Sequence, residues 1–199
     1  MFKNLFNRKS KYQAFWEWFE GFEEVMFNKL QGDRHDKPMF AVLDSHIREI
    51  HPELDFEFGF MPGKIELVVS ANGVKAFFPE VQKLVDAAPE FDRWEITAFK
   101  QRLNQDHFDL DYGGIKLGYD DIFFQYDDSE DQLDIQLNIR NFEDNKLYQG
   151  AVFRLLDSLL GEQDVSYGIG QIDWEVLDED EADSLIPFIQ LRDLVDSRK

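Results

Sequence analysis

The sequence predicts an α+β fold: an N-terminal helical hairpin packed on a mostly antiparallel sheet from two β-β-α-β units, with a short C-terminal helix. Three observations predict it. Apolar residues recur at helical spacing over the first fifty residues, and later alternate with polar residues in short runs bounded by turn residues. Hydrophobic residues are 43% of the 199-residue chain, with 20 Phe, which is enough to bury a core. We therefore expect a single globular domain over residues 1–199.

Two amphipathic helices are predicted within residues 1–52. The first runs from Lys11 to about Gln31, and its expected inner face is unusually aromatic: Phe15, Trp18, Phe19, Phe22, Val25, Met26 and Leu30. The second runs from about Asp36 to Ile50, with Pro38 tolerated in its first turn. A short turn joining two helices predicts a helical hairpin.

Residues 53–100 predict a β-β-α-β unit. Two alternating runs, 54–58 and 65–69, flank a turn and indicate a β-hairpin. A helix is expected from Phe78 to Ala88 and a closing strand from Trp94 to Phe99.

A second unit of the same order is predicted for residues 120–177, after a short hairpin around Gly113 and Gly114. Its elements are strands at 122–126 and 133–139, a helix at 146–160, a short strand at 165–168 and a closing strand at 172–177. Both closing strands contain Trp-Glu followed by a β-branched residue, which favours a duplicated module. Coincidence is the alternative, because hairpin-helix-strand order is common in α+β domains.

Residues 178–199 predict an acidic linker followed by a helix from about Ser184 to Val195. The linker belongs to a strongly acidic half of the chain. The formal net charge is −20, and residues 101–199 carry 24 acidic and 8 basic side chains, a net of −16. We therefore do not expect direct nucleic-acid binding, since affinity for phosphates depends on Lys and Arg. A basic protein partner is the expectation instead, and nothing indicates the oligomeric state.

The absence of cysteine excludes disulfides and thiolate chemistry and favours a reducing compartment, so we expect a cytoplasmic protein. No stretch approaches the ~18 consecutive apolar residues of a membrane span. No phosphate-binding or dinucleotide-binding glycine motif is present, so no cofactor is expected.

Three residues are weak catalytic candidates: His46, Asp109 and Asp111. His46 shares a helix face with Glu49, but the two-histidine pattern of metalloproteases is absent, and no metal site is expected. Asp109 and Asp111 share one side of a strand, a spacing that suits a general acid and base. A surface or structural role is the alternative for each of the three.

The acidic turn between the strands of the second unit supplies candidate binding residues: Asp127, Asp128, Glu130 and Asp131. The turn lacks the glycine and terminal glutamate of a calcium-binding EF-hand loop. The alternative is a solvated turn whose charge discourages strand pairing at the sheet edge.

Landmarks of the first β-β-α-β unit resemble a family of uncharacterised bacterial cytoplasmic proteins of about this length. They are Phe56-Glu-Phe58, Glu66 to Ser70 with Asn72-Gly73, Phe78-Pro79 to Pro89, and Arg93-Trp94 to Phe99. These are turn and core residues, so the resemblance implies a shared fold and supplies no catalytic set. The small, acidic, cysteine-free α+β style is also similar to that of immunity proteins that neutralise bacterial toxins.

Three functions follow as hypotheses. The first is a non-enzymatic binding protein, in its concrete form an immunity-like inhibitor that offers acidic surface to a basic effector. The second is a small carboxylate- or cation-dependent hydrolase that uses His46, Asp109 or Asp111. The third is a nucleic-acid mimic whose spaced carboxylates occupy a DNA- or RNA-binding groove.

Overall fold

The computed structural model describes residues 9–128 and 131–199, and these residues form a mixed α+β structure. The chain divides into two compact units, Met1–Phe99 and Lys100–Lys199, called here the N-terminal and the C-terminal unit. Each unit has its own buried apolar core. The single domain expected for residues 1–199 stays a prediction.

The N-terminal unit begins with the predicted helical hairpin. Helix α1 spans Lys11–Gly32 and starts at a capping box, in which Gln13 N–H donates to Ser10 Oγ at 3.2 Å and Ser10 N–H donates to Gln13 Oε1 at 3.1 Å. Helix α2 spans Lys37–Ile50, and the Asp36 carboxylate accepts from Met39 N–H at its start. Both predicted helices are confirmed.

A three-stranded sheet with one crossover helix follows, as the sequence predicts for residues 53–100. Its elements are β1 (Asp55–Met61), β2 (Lys64–Ser70), α3 (Phe78–Asp86) and β3 (Trp94–Ala98). Strand β2 lies in the middle, antiparallel to β1 and parallel to β3, and the chain crosses from β2 to β3 through α3. Ile65, Leu67 and Val69 of β2 are fully buried in the core shared with the helices.

The predicted inner face of α1 is wrong at one position and incomplete at another. Val25 is 48% exposed, whereas Trp16, which the helical stripe omits, is 2% exposed. The Trp16 indole N–H donates to the Leu84 carbonyl of α3 at 2.7 Å, so α1 is covered by α3 on a side that lies outside the predicted stripe. A hydrophobic stripe read from one helix alone carries no information on that second neighbour.

The C-terminal unit contains two sheets. Strands β4 (Asp109–Tyr112) and β5 (Ile115–Gly118) form a two-stranded hairpin, and a four-stranded sheet has the order β8-β7-β6-β9. Its strands are β6 (Ile122–Asp127), β7 (Leu133–Ile139), β8 (Ile169–Val176) and β9 (Ile186–Pro187), and the helices of the unit are α4 (Lys146–Leu160), α5 (Glu162–Gly168) and α6 (Leu191–Asp196).

The two larger sheets repeat one topology. In each, an antiparallel hairpin is followed by helix and then by a strand parallel to the second hairpin strand. The Trp-Glu match is displaced within that repeat: Trp94 lies opposite Ile65, four positions before the last pair of its ladder, and Trp174 lies opposite Leu137, two positions before the last pair. The shared topology is therefore supported by the backbone pairing alone, because the two Trp-Glu tripeptides do not occupy equivalent positions.

Two predicted elements of the C-terminal unit are wrong. The expected strand at 165–168 is part of helix α5, because Gly161 ends α4 at φ +88° and Val165 N–H then bonds to its carbonyl at 3.0 Å. The expected helix at 184–195 begins at Leu191, and Ile186–Pro187 instead pairs with β6. Proline disfavours helical backbone at the residue before it, so the helix starts after Pro187.

No helix among the described residues has both the length and the apolar character that crossing a membrane requires.

Candidate binding surface

The four-stranded sheet of the C-terminal unit has an apolar and a polar face. Ile135, Leu137 and Ile139 of β7 point to the apolar face, which is buried in the core with α4. The alternate residues point the other way, since successive side chains of a strand face opposite sides. We call this side the polar face. By the register of the strands it carries Phe123, Gln125, Asp127, Asp134, Gln136, Asn138, Asp173 and Glu175.

The polar face is acidic and exposed at strand β8. Asp173 lies opposite Gln136, and Glu175 lies opposite Asn138. Both carboxylates are exposed, and within the described residues neither forms an ion pair. Asp173 Oδ1 accepts a hydrogen bond from Gln171 Nε2 at 2.9 Å, which holds one oxygen in place and leaves the charge uncompensated.

Several cations of the C-terminal unit are held by other acids. Arg140 donates to Asp121 at 2.7 Å and to Glu179 at 2.6 Å, and these hydrogen bonds raise the pKa of the guanidinium above its ordinary value. Arg102 donates to Asp196 at 2.7 Å and, together with Lys199, holds the pKa of that carboxyl well below its usual range. Arg140 directly follows Ile139, the partner of Val176, and Glu179 lies three residues after Val176, so this pair is close to the end of β8. Within the described residues the ion pairs of Arg140 are with Asp121 and Glu179, and it forms none with Asp173 or Glu175.

On the other side of β8 the apolar core reaches the surface. Trp174 stacks on Phe142 with ring centroids 5.9 Å apart and meets Phe153 edge to face at 5.7 Å. Phe153 is 44% exposed, and Val176, two residues along β8 on the same face as Trp174, is 59% exposed. Phe153 and Val176 are therefore exposed next to the partly buried Trp174, on the face of β8 opposite to the acidic row.

Strand β8 also has an unpaired edge. It pairs with β7 on one side, and no strand in the described part of the chain pairs with the other. Leu177 N–H donates to Ile139 O on β7 at 2.9 Å, so by strand alternation the backbone groups of Trp174 and Val176 point away from β7. The opposite edge of the sheet is the two-residue strand β9, which contains Pro187, whereas β8 is eight residues long. Short strands and proline protect an edge from further pairing, and β8 has neither.

The sequence-predicted catalytic residues belong to different units. His46, in the N-terminal unit, stacks on Trp18 with ring centroids 3.6 Å apart and an interplanar angle of 8°, and its Nδ1 lies 2.9 Å from the Val42 carbonyl. Asp109 and Asp111 are exposed on β4 of the C-terminal unit. Asp111 accepts from Gly114 N–H at 3.1 Å, which stabilises the β4-β5 turn.

The acidic turn is partly tied to the chain terminus. Asp127 ends β6 opposite Asp134, Asp128 lies 3.6 Å from the Arg198 guanidinium, and the Asp131 carbonyl accepts from Arg198 at 3.3 Å. Glu130, the fourth predicted binding residue, lies outside the described residues. The carboxylate of Asp128 and the carbonyl of Asp131 therefore both contact the guanidinium of Arg198.

Asp131 also lines a cavity of about 480 Å³ in the C-terminal unit. The other lining residues are Leu133, Asp164, Tyr167, Gly168, Val195, Arg198 and Lys199. Lys199 Nζ lies 2.7 Å from Asp164 and 2.9 Å from Asp196, so its cation is already compensated. The cavity is consequently of mixed charge and does not favour an anion.

The exposed row on β8 was not predicted as a binding site from sequence. The sequence predicted only that residues 172–177 form a strand, from the alternation of Ile172, Trp174 and Val176 with Asp173 and Glu175. Alternation indicates a strand with two different faces, but it does not tell whether the strand lies at an edge.

Among the described residues, His, Asp and Glu side chains form no group of three that could hold a metal ion. Comparison of the chain with protein-family models, with curated proteins and with solved structures found no match.

Proposed function

We propose that the protein is a non-enzymatic binding protein whose C-terminal unit recognises a basic protein partner. Its concrete form is an immunity-like inhibitor of a basic effector in the cytoplasm. The observation that carries the proposal is the exposed pair Asp173 and Glu175, which no cation of the described residues compensates, together with the partly buried Trp174 and the exposed Val176 on the opposite face of the same strand.

The two rows supply the two contributions that protein recognition needs. Uncompensated acidic charge raises the rate of encounter with a basic partner and rejects acidic ones. The exposed Val176 and the accessible part of Trp174 supply apolar area that a partner can bury, and tryptophan is enriched among the residues that dominate binding energy. A surface with both contributions is typical of a protein-binding site.

The hydrolase hypothesis has less support. His46 is sandwiched against Trp18 and bonded to its own helix, while Asp109 and Asp111 are exposed to solvent. An acid-base pair needs its groups within reach of one reacting atom and an environment that separates their pKa values. The mimic hypothesis has less support as well, because the acidic row on β8 consists of two carboxylates beside an apolar row.

The test is binding to the proteins encoded beside the gene of this chain, measured by biolayer interferometry. For a partner found in this way, Asp173→Asn with Glu175→Gln is expected to weaken binding about fivefold, since two charge pairs of about 0.5 kcal/mol each sum to about 1 kcal/mol.

The matched control is Asp180→Asn with Glu181→Gln, two exposed acids outside the sheet, which changes the net charge by the same amount. We expect less than about a twofold effect from it, because exposed charges at a distance are screened by salt. Equal weakening by both double variants would show a non-specific field and contradict the proposal. Failure of every neighbouring gene product to bind would contradict the inhibitor form.

A further inference from the structure

We infer that the open edge of strand β8 accepts an additional β-strand from the basic partner, and that this segment alternates basic and apolar residues. The inference rests on the proposed function and specifies how the partner is recognised. Its basis is that one strand with an unpaired edge carries outward backbone groups, an acidic row on one face and an apolar row on the other.

The backbone supplies the affinity that is independent of side chains. Trp174 and Val176 direct their N–H and C=O groups away from β7, and Ile172 follows the same alternation. A strand placed alongside would pair with these groups, as extended peptides do when they add to an exposed sheet edge.

The side chains supply the specificity. Neighbouring strands keep their side chains in shared rows, with opposite Cβ atoms about 4.5–5.5 Å apart. One row of the added strand therefore meets Asp173 and Glu175, and the other meets Trp174 and Val176. Lys or Arg satisfies the first row and aliphatic side chains satisfy the second. A strand with all its basic residues in one block satisfies neither.

A second copy of this chain is disfavoured as the occupant. Pairing β8 with β8 of another molecule keeps like faces together, so Asp173 and Glu175 would lie beside the same acids of the second copy. Like charges directly opposite on a sheet are destabilising, and residues 100–199 carry 24 acidic against 9 basic side chains. Charge complementarity therefore selects a basic strand from another protein.

The probe is an eight-residue peptide in which Lys and Val alternate, added to the ¹⁵N-labelled full chain at about 1 mM, where even a weak complex is populated. We expect chemical-shift changes along β8 and slower amide exchange at Ile172, Trp174 and Val176. The matched control has the same composition as four Lys followed by four Val, and an alternating Glu-Val peptide tests the sign of the charge. Neither control peptide is expected to bind.

N-methylation of the peptide separates strand addition from charge attraction without altering the protein. In an extended peptide, alternate N–H groups point to opposite edges, and only the edge that faces β8 forms hydrogen bonds with it. Methylating the amides of the edge that faces β8 is therefore expected to abolish binding, whereas methylating the amides of the other edge is expected to leave binding unchanged. Equal binding of both methylated peptides, or no binding of the unmethylated Lys-Val peptide, would overturn the inference.

A protein variant distinguishes this inference from the proposed function. Val176→Pro removes an N–H that points away from β7, and proline is tolerated at such edge positions; Val176→Lys, which places a cation in the apolar row, is the second variant in case proline disturbs the strand. Both are expected to lower affinity for the peptide and for the partner at least about fivefold. If the partner binds both variants unchanged but loses affinity with Asp173→Asn and Glu175→Gln, the proposed function stands and strand addition fails. Sedimentation that shows a dimer dissolved by Val176→Pro would assign the edge to a second copy and overturn the inference.

Discussion

Replacement of Glu80 by Gln is expected to destabilise the N-terminal unit in a pH-dependent way. Glu80 lies in the first turn of α3, and its Oε2 accepts from Lys11 Nζ at 2.6 Å and from the Tyr12 hydroxyl at 2.9 Å. The hydrogen bond from Lys11 is the main cause that lowers the pKa of Glu80 from 4.5 to about 2, against the opposing effect of burial. These contacts join α1 to α3, which are 69 residues apart along the chain at this pair.

The magnitude follows from the shift and the exposure. A fall in the pKa from 4.5 to about 2 would correspond to about 3.5 kcal/mol at ~1.4 kcal/mol per pKa unit if all of it stabilised the folded state. The Glu80 side chain is 21% exposed and Lys11 is 45% exposed, and ion pairs open to solvent contribute roughly 0–1 kcal/mol. We therefore expect Glu80→Gln to cost about 1–2 kcal/mol at pH 7.

The pH dependence has a definite sign. Because the folded-state pKa is depressed, the stabilisation is complete above about 4.5, the value of the unfolded chain, and is lost as the pH falls through about 2. The wild type and Glu80→Gln should accordingly differ at pH 7 and converge as the pH approaches 2. The opposite trend, a difference that grows on acidification, is not compatible with a depressed pKa.

The assay is urea-induced unfolding followed by Trp fluorescence at pH 7, 4.5 and 3. Glu90→Gln, at an exposed position of the same unit, is the matched control and is expected to have no effect beyond about 0.5 kcal/mol. A difference between the wild type and Glu80→Gln that stays the same at pH 7 and pH 3, or that is absent at pH 7, would refute the reasoning.

Two further predictions concern backbone and core. Gly21 lies exposed within α1 with nothing within 4 Å of an added Cβ, so Gly21→Ala should raise the free energy of unfolding by about 0.5–1 kcal/mol. Gly161 has φ +88°, so Gly161→Ala should lower it by about 1–2 kcal/mol; thermal denaturation that shows the same sign for both would contradict this. Trp16→Phe leaves the buried Leu84 carbonyl without its donor and should cost about 1–3 kcal/mol in urea unfolding, whereas Val25→Thr should stay within about 0.5 kcal/mol. A larger cost for Val25→Thr than for Trp16→Phe is what the simple stripe predicts, and it would contradict this packing of α1.

Local patterns were sufficient where a segment's own periodicity and caps decide its structure. The helix from Lys146 to Leu160 was predicted with the bounds that the structure has, since its apolar spacing, Asn145 cap and following Gly161 all agree. The strand over 133–139 was predicted equally well. Periodicity was misleading before Pro187. The apolar residues of 185–194 fit helical spacing, but the proline disfavours helical backbone at the residue before it.

The candidate surface was likewise predicted only in part from the sequence. The sequence predicted a strand with Asp173 and Glu175 on one side and Trp174 and Val176 on the other, because alternation is a local property. It did not predict that this strand lies at a sheet edge, or that Arg140 and Arg102 would be bound by other acids.

By itself, the sequence determined the α+β class, the order of the two β-β-α-β units and the acidity of the C-terminal half, since composition and periodicity are properties of the chain. Only the tertiary structure decided which strand edge is left unpaired, which acids keep an uncompensated charge and which side of α1 is buried. These depend on which residues become neighbours across long separations in sequence, as Trp16 and Leu84 do, and a one-dimensional pattern contains no such pairings.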